Sequence, residues 1–272
     1  MVMDNRIDLV CTDIDGTLLD AGEPDFGSLM KFKETLDQAR LRWRTKWAIV
    51  TGRHRRGIMP ILDSFIGFQL IPDFVVLEDA YIYRFCRRRG LCSFFGWNLR
   101  IRWKRARLWR RGRKVLRQWQ GEMQGEFPQM RVLSHETVDL WMEFPDEAGA
   151  EQGEAVLKRK TAESLDFEVL RWGKELFLAP SVGKKGEAVS RLADHLQVPA
   201  ARIFAVGDGA NDVNMLEGWA AGMVACVANA PREIKNIVRH AGGYLAQNSD
   251  TSGVLEALHF YLNRNSEERK RD

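Results

Sequence analysis

The sequence has no apolar run long enough to span a bilayer, so a transmembrane helix is excluded. Its first stretch, MVMDNRIDLV, holds no apolar block of leader length, and secretion is not expected. The four cysteines, Cys11, Cys86, Cys92 and Cys226, form no C-x-x-C pair and are spread over 272 residues. That spacing suits a reducing, cytoplasmic setting better than a disulfide framework. Internal repeats and low-complexity linkers are lacking too. The most uneven absence is of negative charge. From Tyr81 to Gly121 there is no Asp or Glu, although the whole chain carries 37 acidic against 41 basic residues, a net charge of +4. The remainder is therefore acidic on balance. The basic stretch points to an anionic partner: a phosphorylated substrate, a nucleic acid or a membrane surface.

What is there reads as a soluble α/β protein, 45% apolar and 29% charged. Its length predicts two domains, or one with a large insertion. "IDLVCTDI", "WAIVTGR" and "DFVVLEDAYIYR" are apolar strand patterns, the last running on into a hairpin. Between them, Leu29, Phe32, Leu36 and Ala39 recur at helical spacing, and "RRGIMPILDSFIG" reads as a helix that Pro60 starts or kinks. This order predicts a parallel sheet covered by helices. The alternation then breaks. A basic helix is expected at about 103–123, with Trp109, Leu116, Trp119 and Met123 on its apolar side. Short strand patterns ("MRVLSH", "VDLWMEF", "FEVLRWG", "ELFLAP") and the helical "AGAEQGEAVLKRKTAESL" follow. Alternation resumes with "KKGEAVSRLADHLQV", "RIFAVGDG", the helical "NDVNMLEGW", "GMVACVANA" and "REIKNIVRHA", then a last helix and a frayed tail, "SEERKRD". The expected fold is a doubly wound, Rossmann-like parallel-sheet core, residues 1–83 and 179–272, with an inserted α+β cap at 84–178.

In an open parallel sheet, ligands bind outside the carboxyl ends of the strands. Four polar sites fall at such ends: Asp13 and Asp15; Thr51, Gly52 and Arg53; Lys185; and Asp208, Asn211 and Asp212. Asp13 and Asp208 are hard oxygen ligands suited to Mg²⁺. An ionised aspartate can attack phosphorus and form an aspartyl phosphate. A second acid, Asp15, can protonate the leaving oxygen and then deprotonate water. Thr51 offers a hydroxyl donor and Lys185 a compact positive charge. Gly16 permits the sharp turn that brings backbone N–H groups to a phosphate.

"DIDGTLLD", "VTGR", "GKKGEA" and "VGDGANDVNML", in that order, resemble the four motifs of the haloacid dehalogenase-like superfamily of phosphohydrolases. The resemblance implies Asp13 as nucleophile, Asp15 as acid/base, and Thr51 and Lys185 as phosphate ligands. It implies a Mg²⁺ cofactor held by Asp13, the main-chain carbonyl of Asp15 and Asp208, with Asp212 or Asn211 further out. Gly16, Gly52, Arg53 and Asn211 are then expected along the phosphate and substrate. An acid two residues after the nucleophile goes, in this family, with phosphate esters rather than dehalogenation. An insertion after the third strand is similar to the C2-type α/β cap of Cof-type and sucrose-phosphatase-like members. "LEDAYIY" departs from the "ENGA" frequent there.

The expected activity is Mg²⁺-dependent hydrolysis of a small, carbohydrate-like phosphate. Two alternatives use the same residues or the same charge: a phosphomutase on the same core, and a hydrolase scaffold whose basic cap holds a polyanion. Nucleic acid is not the expected partner, because binding alone needs no such carboxylates. Trp97, Trp103 and Trp109 could stack on a sugar or base, or pack in a core.

Overall fold

The computed structural model describes residues 6–20, 25–86, 88–133, 140–162 and 167–268. It divides into two compact units, Met1–Phe94 with Lys184–Asp272, and Phe95–Gly183. The first unit begins β1 (Leu9–Thr12), α1 (Phe26–Trp43), β2 (Lys46–Val50), α2 (Arg55–Gly67), β3 (Phe74–Leu77), β4 (Tyr81–Cys86) and β5 (Gly90–Ser93). The second unit runs α3 (Phe95–Glu126), β6 (Arg131–Val132), β7 (Leu140–Glu143), α4 (Glu147–Thr161), β8 (Phe167–Trp172) and β9 (Glu175–Pro180). The first unit then resumes with α5 (Lys185–Leu196), β10 (Ile203–Gly207), α6 (Val213–Leu216), β11 (Met223–Cys226), α7 (Arg232–His240), β12 (Tyr244–Leu245) and α8 (Asp250–Glu268).

The first unit is an α/β layer structure on one eight-stranded sheet, ordered β12-β11-β10-β1-β2-β3-β4-β5. From β12 to β3 every neighbour is parallel; β4 and β5 add an antiparallel edge. All four residues of β1 are buried, as a strand covered on both faces requires. Helix α1 starts where the Asp25 carboxylate accepts the Ser28 N–H at 3.2 Å and buries Leu29, Phe32, Leu36 and Ala39. Phe32 meets the fully buried Trp47 edge-on, centroids 5.4 Å apart. The Trp47 indole N–H finds Thr12 Oγ1 at 3.1 Å, so its burial, worth about 1.5–3 kcal/mol for a large apolar side chain, leaves no donor unpaired.

The sequence puts the insertion at 84. In the structure the first unit continues to Phe94, because β4 pairs with β3 and β5 with β4. The insertion likewise closes at Gly183 rather than 178, where Arg105 Nη2 donates to the Gly183 carbonyl at 2.9 Å. "NDVNMLEGW" forms no full helix. A 3-10 turn at Ala210–Asp212 leads into the single turn of α6, since the Asp212 carboxylate folds back onto the Asp208 and Gly209 N–H groups. Helix α8 carries the first part of the expected tail to Glu268, and residues 269–272 lie outside the described residues. So do the ends of "MRVLSH" and of "AGAEQGEAVLKRKTAESL", within 134–139 and 163–166.

The second unit has its own antiparallel sheet, β6-β7-β9-β8. Helix α3 is longer than 103–123; Trp119 and Met123 turn inward as expected and Leu116 packs against their cluster, but Trp109 does not. Ile101, Leu108, Gly112, Trp119 and Met123 are buried, while Trp109 is 38% exposed. At 100° per residue, Leu108, Gly112, Trp119 and Met123 share one face and Trp109 lies a full step off it. Gly112 lets α3 approach β8, for a Cβ there would fall 2.5 Å from the Phe167 ring.

Candidate active site

Parallel pairing brings the carboxyl ends of β1, β2, β3 and β10 side by side. Asp13, just past β1, donates its N–H to the Val206 carbonyl at 3.1 Å, and Thr51, just past β2, donates to Val76 at 3.0 Å. Gly16 turns the chain after β1 with φ +71°; a Cβ there would lie 2.4 Å from Asp208 Oδ2. Only glycine combines that backbone with so close an approach.

Lys185, the first residue of α5, is wholly buried. Its Nζ lies 2.9 Å from Asp13 Oδ1, 2.7 Å from Asp212 Oδ1 and 3.9 Å from Asp79 Oδ1. Lys184 is instead the residue before the helix. Asp208 accepts the Thr17 hydroxyl at 2.6 Å. Asp212 Oδ2 accepts the N–H groups of Asp208 at 3.0 Å and Gly209 at 2.9 Å.

Oxygens of Asp13, Asp208 and Asp212, all buried, lie within 4.8 Å of one another. One ammonium thus faces several carboxylates, of which Asp13, Asp208 and Asp212 are buried and Asp79 is partly exposed. Burial pushes the Asp13 carboxyl well up; Lys185 opposes the shift and the Asp212 charge adds to it. Asp208 is pushed up to about 6 by burial and by Asp212, against the pull of the Thr17 hydroxyl. Burial alone would lower Lys185, but the Asp13, Asp212 and Asp79 carboxylates outweigh it and hold the ammonium well above its ordinary value. A hard-oxygen donor set with surplus negative charge fits a divalent cation such as Mg²⁺.

Asp15 is not in that cluster. Its carboxylate, half exposed, takes a bidentate pair from Arg53, Nε to Oδ2 at 2.7 Å and Nη2 to Oδ1 at 2.6 Å. Any role for Asp15 at a cation would therefore pass through its main-chain carbonyl. Arg53, expected along the substrate, is engaged with Asp15 and with the Gly57 carbonyl at 3.3 Å. The buried Thr51 Oγ1 accepts the Arg53 N–H at 3.1 Å. Asn211 Nδ2 donates to Asp79 Oδ1 at 3.2 Å, and a Cβ on Gly52 would sit 3.4 Å from both side chains.

Three contributors went unnoticed in the sequence. Thr17 holds Asp208, and Asn229 Nδ2 holds the Gly16 carbonyl at 2.6 Å. Asp79 was read as part of a departure in the strand-to-cap segment. It lies past the carboxyl end of β3, so the strand-end rule could have found it. Glu78 and Asp79 both hold left-handed backbone, φ +50° and +61°, at a cost of about 1–3 kcal/mol each. Their N–H groups bond the Arg53 and Thr51 carbonyls, each at 3.1 Å, which pins Asp79 at the cluster.

The sequence profile of the haloacid dehalogenase-like hydrolases matches residues 80–258. The phosphatase YwpJ of Bacillus subtilis (strain 168) is 43% identical over 60 residues, a match covering 22% of this chain and 20% of that protein. The sucrose-phosphatase of Synechocystis sp. PCC6803, solved with sucrose and phosphate, superposes with a TM-score of 0.68 at 22% identity, over 94% of this chain and 98% of that one. BT1666 of Bacteroides thetaiotaomicron, a phosphatase, superposes with a TM-score of 0.62 at 20% identity, over 96% and 97%. SMU.1108c of Streptococcus mutans UA159 gives 0.65 at 19%, over 94% and 99%. At these identities the structural likeness is one of fold.

Proposed function

Because the chain belongs to the haloacid dehalogenase-like hydrolase family, we propose that it is a Mg²⁺-dependent phosphomonoesterase acting on a small sugar-like phosphate through an aspartyl phosphate. The observation that carries this reading is the meeting of Asp13, Lys185, Asp208 and Asp212 at adjacent strand ends. The sugar-like substrate rests on the likeness to a sucrose-phosphatase and is the finer part of the proposal.

Asp13 attacks phosphorus: its carboxylate oxygen forms the new P–O bond as the ester P–O bond breaks. Asp15 gives its proton to the departing alcohol oxygen. It then takes a proton from the water that attacks the aspartyl phosphate, releasing phosphate and restoring Asp13. For this Asp15 must leave Arg53, which is then free to hold a phosphoryl oxygen. Lys185 offsets the repulsion between the Asp13 carboxylate and the incoming phosphate. Asp13, Asp208 and Asp212 would hold the Mg²⁺, which supplies positive charge that keeps buried carboxylates ionised and tolerates a second anion.

Phosphate release from a panel of sugar phosphates, with Mg²⁺ and with chelator, tests the reading. The expected result is Mg²⁺-dependent turnover, abolished in Asp13→Asn and lowered about 10²–10⁴-fold in Asp15→Asn. Turnover that survives in Asp13→Asn would sink it. Isomerised sugar phosphate without free phosphate would reassign the chain as a phosphomutase.

A further inference from the structure

We infer that helix α3 docks flat on an anionic lipid bilayer through its solvent face. The helix runs 32 residues, about 48 Å at 1.5 Å per residue. The segment Arg100–Lys114, "RIRWKRARLWRRGRK", holds nine arginines and lysines and no acid. Among the described residues, no carboxylate pairs with Arg100, Arg102, Arg107, Arg110, Arg113 or Arg117, all of them exposed. The helix repels itself, because Arg107, Arg110, Arg111 and Lys114 are like charges at spacings of three and four. An apposed anionic surface converts that repulsion into attraction.

The charge alone fits any polyanion; the apolar residues select among them. Phe95, Leu99 and Trp103 follow one another at spacings of four on the solvent face, exposed by 76%, 53% and 58%. They lie opposite the side that packs on the second unit's sheet through Leu108, Gly112, Trp119 and Met123. Further along the same face come Arg107, Arg110, Lys114 and Arg117, with the Arg107 guanidinium 5.6 Å from the centre of the Trp103 ring. A bilayer uses both halves: its interface takes the phenylalanine, leucine and tryptophan, and its headgroup phosphates take the arginines. A nucleic acid would use the arginines and could stack on the aromatic rings, but it offers Leu99 nothing. Arginine in preference to lysine also suits bidentate pairing with phosphate diesters. No described helix is long and apolar enough to cross a membrane, so the docking is peripheral.

Co-sedimentation of the full chain with vesicles tests this. One set is phosphatidylcholine alone; the other carries roughly 30% phosphatidylglycerol, and each is run in about 0.05 M and about 0.5 M salt. Binding is expected only to the anionic vesicles in low salt, with a blue shift of tryptophan fluorescence. Replacing Arg110 and Arg113 together by Gln is expected to weaken partition by roughly tenfold or more. Leu99→Ala with Trp103→Ala should weaken it too and remove the blue shift. Unchanged thermal unfolding checks that both variants fold. No binding of the unaltered chain to anionic vesicles in low salt overturns the proposal. So does binding indifferent to both double variants, or capture of single-stranded RNA without capture of vesicles. Phosphate release from a soluble substrate reports on the catalytic reading separately.

Discussion

Lys185 shares its charge among three carboxylates. Asp13 and Asp212 are in hydrogen-bonding contact with it, and Asp79 competes from 3.9 Å. In the proposed reaction a phosphoryl group must draw on that same ammonium. Asp79 therefore acts against substrate and product alike. It also accepts the Asn211 N–H, a bond that an amide oxygen can replace, and asparagine tolerates left-handed backbone as aspartate does. Asp79→Asn is thus expected to lower both KM and the inhibition constant of inorganic phosphate about two- to tenfold, with kcat little changed. Steady-state kinetics with phosphate as inhibitor measures it. A rise in both constants would mean that Asp79 attracts the substrate instead. The "GKKGEA" motif singled out Lys185 at the start of a helix, and residue types at strand ends made Asp13 and Asp208 legible in the sequence. The Asp15–Arg53 pair was not, since nothing in "DIDG" or "TGR" says which way either side chain turns.

Among the elements, α3 shows how period and packing divide the work. Its helical character, its basic surface and the inward turn of Leu116, Trp119 and Met123 can be read from the chain, but the places of Trp109 and Gly112 cannot. Trp109 looked like a core residue by hydrophobicity, yet it is 38% exposed, with the Arg113 guanidinium 5.0 Å from the ring. The inward position went to Gly112, which no hydrophobicity scale selects. The small residue admits the Phe167 ring, and that contact sets which side of α3 meets the sheet. Gly112→Ala is expected to destabilise the second unit by about 1–3 kcal/mol through overpacking. A lowered unfolding temperature, with hydrogen-exchange protection lost in Leu140–Glu143 and Glu175–Pro180, would register it. A variant as stable as the parent would show that Phe167 yields without cost.

Across the whole molecule, the site is a property of topology. Asp13 and Asp208 are 195 positions apart by their numbers in the chain, yet β1 and β10 are neighbours in register, with Thr12 opposite Val206. Three buried carboxylates drawn together in this way carry more negative charge than the single Lys185 ammonium offsets, and the surplus works against folding unless a further cation joins them. Mg²⁺ is therefore expected to raise the unfolding temperature of the intact chain, equivalent to about 2.7 kcal/mol at a hundredfold excess over Kd. Asp208→Asn should remove most of that gain in differential scanning fluorimetry, a readout that needs no substrate. An unfolding temperature indifferent to Mg²⁺ and chelator would count against cation binding at this cluster. By itself the sequence determined the layers and the strand ends. Apolar runs and helical periods are local, and they oblige strands to be buried and helices to cover them. Tertiary structure alone decided what depends on the approach of distant groups: that Asp212 braces Lys185, that Asp79 joins them, that Asp15 rests on Arg53, and that β4 and β5 stay with the sheet. Those outcomes turn on separations of a few ångströms between segments far apart in the chain, and no local pattern encodes such a distance.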